Sequence, residues 1–206
     1  QYRAVFPLLN FPGQTDESQE KCVNYFKHIV YENEATAPLI QAQIESQGVK
    51  MLGFMANGCN AFAAKKDVST LEELSKYKLG IGMNFTAFES LGFSVVAMMP
   101  WDSYDSLSKG VADATYMAMA PMIALKWHEV VPYFISANLY TAGNYFTISL
   151  ERWNSFNADT QALFQEAMEA TTEYTIQLVA EGEAAVETAL NAVGGKLSNL
   201  NEDDTR

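Results

Sequence analysis

Hydrophobic and polar positions along this chain follow two periods that take turns. "DESQEKCVNYFKHIVY" places Cys22, Val23, Phe26, Ile29 and Val30 on one helical face, and Thr15 stands where an N-cap belongs. A second helical pattern carries Leu39, Ile40 and Ile44 and stops at Gly48. "VKMLGFM" (residues 49–55) then reads as a strand, "NGCN" as a turn and "AFAAK" (residues 61–65) as a second short strand. Ser69 with Glu72 forms a capping box for a helix over residues 71–74. From there strand and helix alternate: "KLGIG", then "FTAFESLG" ended by Gly92, "FSVVAM", "WDSYDSLSKG" closed at Gly110, "ADATYM", and "APMIALKWHEV" as one helix. Residues 133–138 extend again, and "NYFTISL" (residues 144–150) is the last strand. This alternation implies an α/β fold with a largely parallel sheet.

The end of the chain breaks the rhythm. Asn157 caps a long 3.6-residue pattern in which Leu163, Phe164, Ala167, Met168, Thr171, Tyr174, Leu178, Val179, Val186 and Leu190 share a face, and Gly194 and Gly195 stop it. Residues 158–192 would span roughly 50 Å as one straight helix. Such a helix either braces two lobes or breaks near Gly182.

Composition narrows the function. Of 206 residues, 49% are hydrophobic and 18% charged, which suits a globular chain with a real core. No apolar run reaches the ~18 residues of a membrane helix, and the longest, "MAMAPMIAL", holds a proline. The net charge of −12 argues against nucleic acid and against docking on an anionic membrane. Cys22 and Cys59 are far apart with no C-x-x-C, so no metal site is expected. The opening "QYRAVFPLLNFPG" has no charged stretch leading into an apolar one, so any export signal is expected to have been removed already.

Catalytic chemistry finds little support. Gly80-Ile81-Gly82 supplies two glycines of a dinucleotide loop, but Phe85 fills the place of the third. His28 and His128 lie inside helical patterns, and no G-x-S-x-G elbow occurs. Neither a cofactor nor catalysis is expected. Polar-aromatic clusters remain, "MPWDSY", "ATYM" and "ANLYTAGNY", at strand ends where open α/β sheets hold ligands.

From about Pro7 to Leu197 the chain resembles the solute-binding subunits of TRAP transporters, the DctP-like family. The segments that carry the likeness are "FPLLNFPG", "GFMANGCNAF", "VSTLEELSKYKLGIG", "GFSVVAMMPWDSYDSLSKGVADA", "ALKWHEVVPYFI" and "ISLERWNSFNADTQALFQEAMEATTEY", in that order. The resemblance implies a two-lobed periplasmic-binding-protein fold, with hinge strands and a long C-terminal helix bridging both lobes. Residues 1–60 would be the remainder of lobe 1, 61–136 lobe 2, 137–157 the return to lobe 1, and 158–206 the bridging helix and tail. Family members begin with a βαβ portion that this sequence is expected to lack. The implied role is non-enzymatic: a monomer in the periplasm, with no insertion into the membrane, hands a small solute to the small and large membrane subunits of a TRAP transporter. A ligand-sensing receptor of the same fold is the alternative. The periplasm permits a disulfide, yet Cys22 on a helix and Cys59 on a turn are expected to stay unbridged.

The resemblance also names positions. In the family an arginine on the strand after "D-L-K-G" grips the ligand carboxylate as a planar fork. Here Gly80 stands at that position. Asn60 stands near a second basic position, and Met117 stands where the family has an asparagine. Phe11 lies in the aromatic-proline loop. Trp101, Tyr104, Tyr116, Tyr140 and Tyr145 would add aromatic faces, with Asn84, Asn138 and Asn144 as neutral handles. Gly80 and Gly82 are expected to leave open volume. The expected ligand is neutral or largely apolar, or one whose charge is met by the N-terminal part this sequence is expected to lack; a cation over the aromatic faces is the next alternative, and a simple arginine-anchored dicarboxylate is not expected.

Overall fold

In the computed structural model, residues 28–82 and 85–201 are described, with the side chains of 56, 57, 59, 137–143 and 183 excepted. Thr15, Cys22 and most of the expected first helix, Asn84, and the tail from residue 202 lie outside them. A π-helical turn at His28–Glu32 buries Val30. Helix α1 (Ala37–Glu45) buries Ile40 and Ile44 and leaves Leu39 exposed. It ends before Gly48, whose φ of +72° lies in the left-handed region that favours glycine.

Strand β1 (Val49–Ala64) is one continuous strand, not two strands joined by a turn. Gly58 takes φ +82° inside it, so the "NGCN" cluster does not end the strand. Helix α2 (Leu71–Ser75) is capped one residue later than expected: Thr70 accepts the Glu73 N–H at 3.2 Å, and the Glu73 carboxylate accepts the Ser69 N–H at 3.2 Å. Strand β2 (Lys78–Ile81), helix α3 (Phe85–Ser90), strand β3 (Ser94–Ala97), helix α4 (Pro100–Ser108) and strand β4 (Ala114–Ala118) follow the expected order. The C-termini of α3 and α4 are closed by paired backbone bonds around Gly92 and Gly110, both at positive φ.

The expected helix over "APMIALKWHEV" is broken. Helix α5 (Met119–Ala124) stops at Lys126, which sits in the left-handed region at φ 61°, and Trp127–Glu129 form a 3-10 turn. Strand β5 (Tyr133–Ser149) is again one strand where two segments were expected. Helix α6 (Leu150–Asn154) precedes α7 (Ala158–Ala192), which runs unbroken through Gly182. A Cβ at Gly182 would lie 3.1 Å from that of Ala120, so the glycine marks a close approach and not a break. As expected, Asn157 Oδ1 caps the helix by accepting the Thr160 N–H at 2.9 Å. Strand β6 (Lys196–Asn199) was not legible in the sequence.

The six strands form one sheet in the order β3-β2-β4-β1-β5-β6. β2 runs parallel to β3 and β4, β5 parallel to β6, and β1 antiparallel to β4, which makes a mixed α/β sheet.

The chain divides into two compact units, residues 1–58 with 140–180 and residues 59–139 with 181–206. In the first, Val30, Ile40, Ile44 and Met51 make one apolar cluster, and Phe54 with Val179 makes another. In the second, Met98, Leu107, Met122, Trp127, Phe134 and Leu190 form the main core. The buried stripe of α7 differs from the expected face. Leu163, Phe164, Tyr174 and Leu178 are exposed, while Thr172 and Thr175 are buried. Their hydroxyls explain it. Thr172 Oγ1 donates to the carbonyl of Phe54 at 2.8 Å and accepts the Phe54 N–H at 3.3 Å, while Thr175 Oγ1 donates to the Thr172 carbonyl at 2.9 Å. A satisfied hydroxyl enters a core at little cost.

Candidate functional site

The chain direction sets where a ligand site belongs in the second unit. β2 is flanked by β3 on one side and β4 on the other, so the winding reverses there. In open α/β sheets ligands lie outside the carboxyl ends of strands at such a switch. The carboxyl end of β4 is Ala118, and its register partner on β1 is Asn60.

Asn60 is only 3% exposed, and its Oδ1 is buried with no hydrogen-bond partner. A buried amide oxygen left unpaired costs about 1–3 kcal/mol. The pairing continues Phe62 with Tyr116, so the pleat sets Asn60, Phe62, Tyr116 and Ala118 on one face. There Phe62 lies 4.7 Å from the Tyr116 ring, 5.5 Å from Phe93 and 5.9 Å from Phe88, centroid to centroid. Asn60 is thus the polar end of an aromatic row.

Gly80 and Met117 fall on the opposite face. Met117 pairs with Ala61, and Gly80 pairs with Thr115, whose hydroxyl donates to the Gly80 carbonyl at 2.8 Å. Met117 packs against the main core. The open volume expected at Gly80 is filled. A Cβ there would meet Met98 Cε at 2.6 Å, Met98 Sδ at 2.7 Å and Ala112 Cβ at 2.9 Å. At Gly82, which is exposed, the nearest atom is the Met98 carbonyl oxygen at 3.5 Å, so room exists there. The register therefore separates the three anchor positions into Asn60 on one side and Gly80 with Met117 on the other.

Trp101 is 76% exposed on α4. Tyr104, on the same helix, donates its hydroxyl to Glu129 Oε2 at 3.1 Å, and that bond, with the carboxylate's charge, raises the phenol above its usual 10.0. In the first unit Asn144 is exposed, and Tyr145 packs on Phe54 with ring centroids 5.9 Å apart. Burial holds the Tyr145 phenol well above its ordinary range. Asn138 and Tyr140 lie on β5 without described side chains, and Phe11 and Asn84 lie outside the described residues. Among the described residues no group of three or more His, Cys, Asp or Glu could hold a metal. The aromatic group of Phe62, Phe88 and Phe93 around Tyr116 was missed. Reading residues 49–64 as one strand would have put Phe62 on the face of Asn60, two residues on.

Residues 25–206 match the profile of the bacterial extracellular solute-binding proteins, family 7 (DctP). A solute-binding protein of Sulfitobacter sp. (strain NAS-14.1) is 25% identical over 152 residues, 72% of this chain and 46% of that protein. The chain spans about half the length of the curated relatives it matches. The fold is that of TRAP periplasmic solute-binding proteins. One from Desulfovibrio desulfuricans, solved with sn-glycerol-3-phosphate, matches with TM-score 0.84 and 19% identity over 100% of this chain and 66% of that one. Another from Sulfitobacter sp. NAS-14.1, solved with β-D-galacturonate, matches with TM-score 0.76 and 19% identity over 88% of this chain and 62% of that one.

Proposed function

Because this chain belongs to the DctP family of bacterial extracellular solute-binding proteins, family 7, we propose that it captures a small hydroxyl-bearing organic solute for a TRAP transporter. Membership sets aside the enzyme reading and agrees with a periplasmic location. No helix among the described residues is long and apolar enough to cross a membrane. In this reading the two compact units act as the lobes of a clamp, with the segments 1–60, 61–136, 137–157 and 158–206 in the roles the resemblance gives them. The small and large membrane subunits of the transporter are its partners. A solute touching both lobes selects the closed form. Solution scattering on the full chain should then show a smaller radius of gyration with saturating solute, and an unchanged radius would rule out the clamp.

The unpartnered Oδ1 of Asn60 at the switch point carries the choice of solute. An amide oxygen asks for a donor, and a solute hydroxyl supplies one; a carboxylate does not. Relatives solved with β-D-galacturonate and sn-glycerol-3-phosphate hold hydroxyl-rich anions. The chain has only Arg3, Arg152 and Arg206, and none stands at position 60, 80 or 117. The exposed Arg152 lies 4.9 Å over the Phe156 ring. A solute's negative charge, where it has one, is therefore met elsewhere, and its hydroxyls engage Asn60.

Calorimetry on the full chain with D-galacturonate, D-galactose and succinate tests this. At least one of the two sugars should bind, succinate should not, and Asn60→Leu should weaken sugar binding about tenfold, one hydrogen bond's worth. Binding of succinate alone, or an Asn60→Leu variant that binds like the parent, would refute it.

A further inference from the structure

Every glycine whose surroundings are described has a reason in the fold, with one exception. Gly48, Gly58, Gly92, Gly110 and Gly194 take positive φ, where a side chain is strained. At Gly53, Gly80, Gly182 and Gly195 a Cβ would meet a neighbouring atom at 3.1 Å or closer. Gly82 has neither reason. Its φ lies outside the left-handed region. The nearest described atoms to its Cβ position are the Met98 carbonyl oxygen at 3.5 Å and Met99 Sδ at 3.9 Å, both at ordinary contact distance. Alanine would fit there and would restrict the unfolded chain, so glycine at this position costs stability. What a bare backbone offers in exchange is the close approach of another molecule.

The position agrees. Gly82 is exposed and directly follows β2, the strand at which the winding of the sheet reverses. Ligands of open α/β sheets lie outside the carboxyl ends of strands at such a point. The Met98 N–H donates to the Ile81 carbonyl at 3.0 Å, which ties the carboxyl ends of β2 and β3 together. Met99 comes next, with its carbonyl accepting the Ser103 hydroxyl at 2.8 Å and its side chain 48% exposed. Residues 79–82 and 96–99 carry no charged side chain. The surface on offer is bare backbone beside a soft thioether, which suits carbon-bound hydrogens and not an ionised group.

We propose that Gly82 is a solute-contact residue: the carbon skeleton of the solute packs on the Gly82 backbone with the Met99 thioether beside it, and the absent side chain sets the size of solute that enters. This rests on the solute reading above, in which a hydroxyl engages Asn60, and adds the surface that takes the rest of the molecule. Asn60 pairs with Ala118 at the carboxyl end of β4, and β4 runs parallel to β2 as its neighbour, so both positions stand at the same end of the sheet.

Calorimetry of the full chain, Gly82→Ala and Gly82→Val with D-galacturonate and D-galactose is the test, alongside thermal unfolding without solute. Gly82→Ala should leave the solute-free melting temperature unchanged or raise it by about 1–4 °C. It should weaken whichever sugar the parent binds about tenfold, as overpacking does, and Gly82→Val should weaken it further. Opposite signs in the two readouts separate a contact residue from a structural glycine, whose replacement lowers stability. The proposal is overturned if Gly82→Ala lowers the solute-free melting temperature, if it binds the sugar as tightly as the parent, or if Gly82→Val binds it more tightly than Gly82→Ala. Where Asn60→Leu weakens the sugar and Gly82→Ala does not, the solute reading stands and this proposal alone falls. A parent that binds neither sugar overturns the solute reading and this proposal with it.

Discussion

Replacing Gly80 by alanine separates two accounts of that position by the sign of the effect. If the glycine faced open space, alanine would stabilise the protein by about 0.4–1 kcal/mol, since Gly80 is not among the glycines with positive φ and alanine restricts the unfolded chain. The structure says otherwise. The new methyl would lie 2.6 Å from Met98 Cε, 2.7 Å from its Sδ and 2.9 Å from Ala112 Cβ, where ordinary contact begins at 3.4 Å. The Met98 thioether can bend away, but Ala112 Cβ is fixed to its backbone. Met98 is itself 6% exposed, in a core whose Leu107 and Met122 are fully buried. Overpacking of this kind costs about 1–3 kcal/mol. For a chain of this size that is a fall of roughly 2–4 °C in melting temperature per kcal/mol.

Urea unfolding of the parent, Gly80→Ala, Met98→Ala and the double variant measures it. Gly80→Ala should cost less in the Met98→Ala background, because the two Met98 atoms are gone, and the cost that remains is the clash with Ala112 Cβ. Gly80→Arg, which places here the charge that the resemblance implies, should fail to fold, as its stem would start inside this core and carry an unpaired guanidinium with it. A Gly80→Ala variant as stable as the parent or more so, or a Gly80→Arg variant that folds and binds acids, would refute the placement.

Thr172→Val removes the hydroxyl that bonds both the N–H and the carbonyl of Phe54 while keeping the volume, and should cost about 1–3 kcal/mol in urea unfolding; a change under about 0.5 kcal/mol would show that those bonds are dispensable. Tyr31 and Tyr145 keep their protons to higher pH in the folded state than the ordinary 10.0, because burial penalises the phenolate. The unfolded chain therefore releases these protons first. Stability should be unaffected by them below pH 10 and should fall as pH rises beyond it. Tyr31→Phe with Tyr145→Phe should flatten that fall in pH-dependent unfolding, and an unchanged slope would count against the assignment.

Local signals that need only a few residues were legible. Gly48, Gly92, Gly110 and Gly194 all take positive φ at helix ends, and Asn157 caps its helix as its side chain suggests. Signals that depend on partners were not. Ser69 with Glu72 and Thr70 with Glu73 have the same spacing in the sequence, and only the fold decides between them: Thr70 and Glu73 make the cap while Glu72 accepts from Lys76. Thr172 and Thr175 look polar in the sequence, yet their backbone bonds bring them into the core and leave Tyr174 and Leu178 outside. β6 has four residues, "KLSN", and gains its strand form from pairing with β5.

Parity governs what could be known of the site. The resemblance implies that Asn60, Gly80 and Met117 stand at anchor positions, but a residue's face follows from counting by twos along an unbroken strand. Reading a turn at "NGCN" resets that count. Beyond Gly58, whose φ of +82° interrupts the alternation, β1 pairs with β4 from Asn60 onward, and that register sets Asn60 with Phe62 and Tyr116 while Met117 and Gly80 turn to the opposite face. The two outcomes have different physical meaning. Gly80 is small because Met98 and Ala112 leave it no room, so its identity reports packing. Asn60 carries a polar atom that the fold leaves unpaired at 3% exposure, and packing alone would favour an apolar residue there. A leucine at position 60 should therefore cost the protein nothing in the absence of solute and everything that depends on a hydroxyl in its presence, and that asymmetry is the mark of a binding residue.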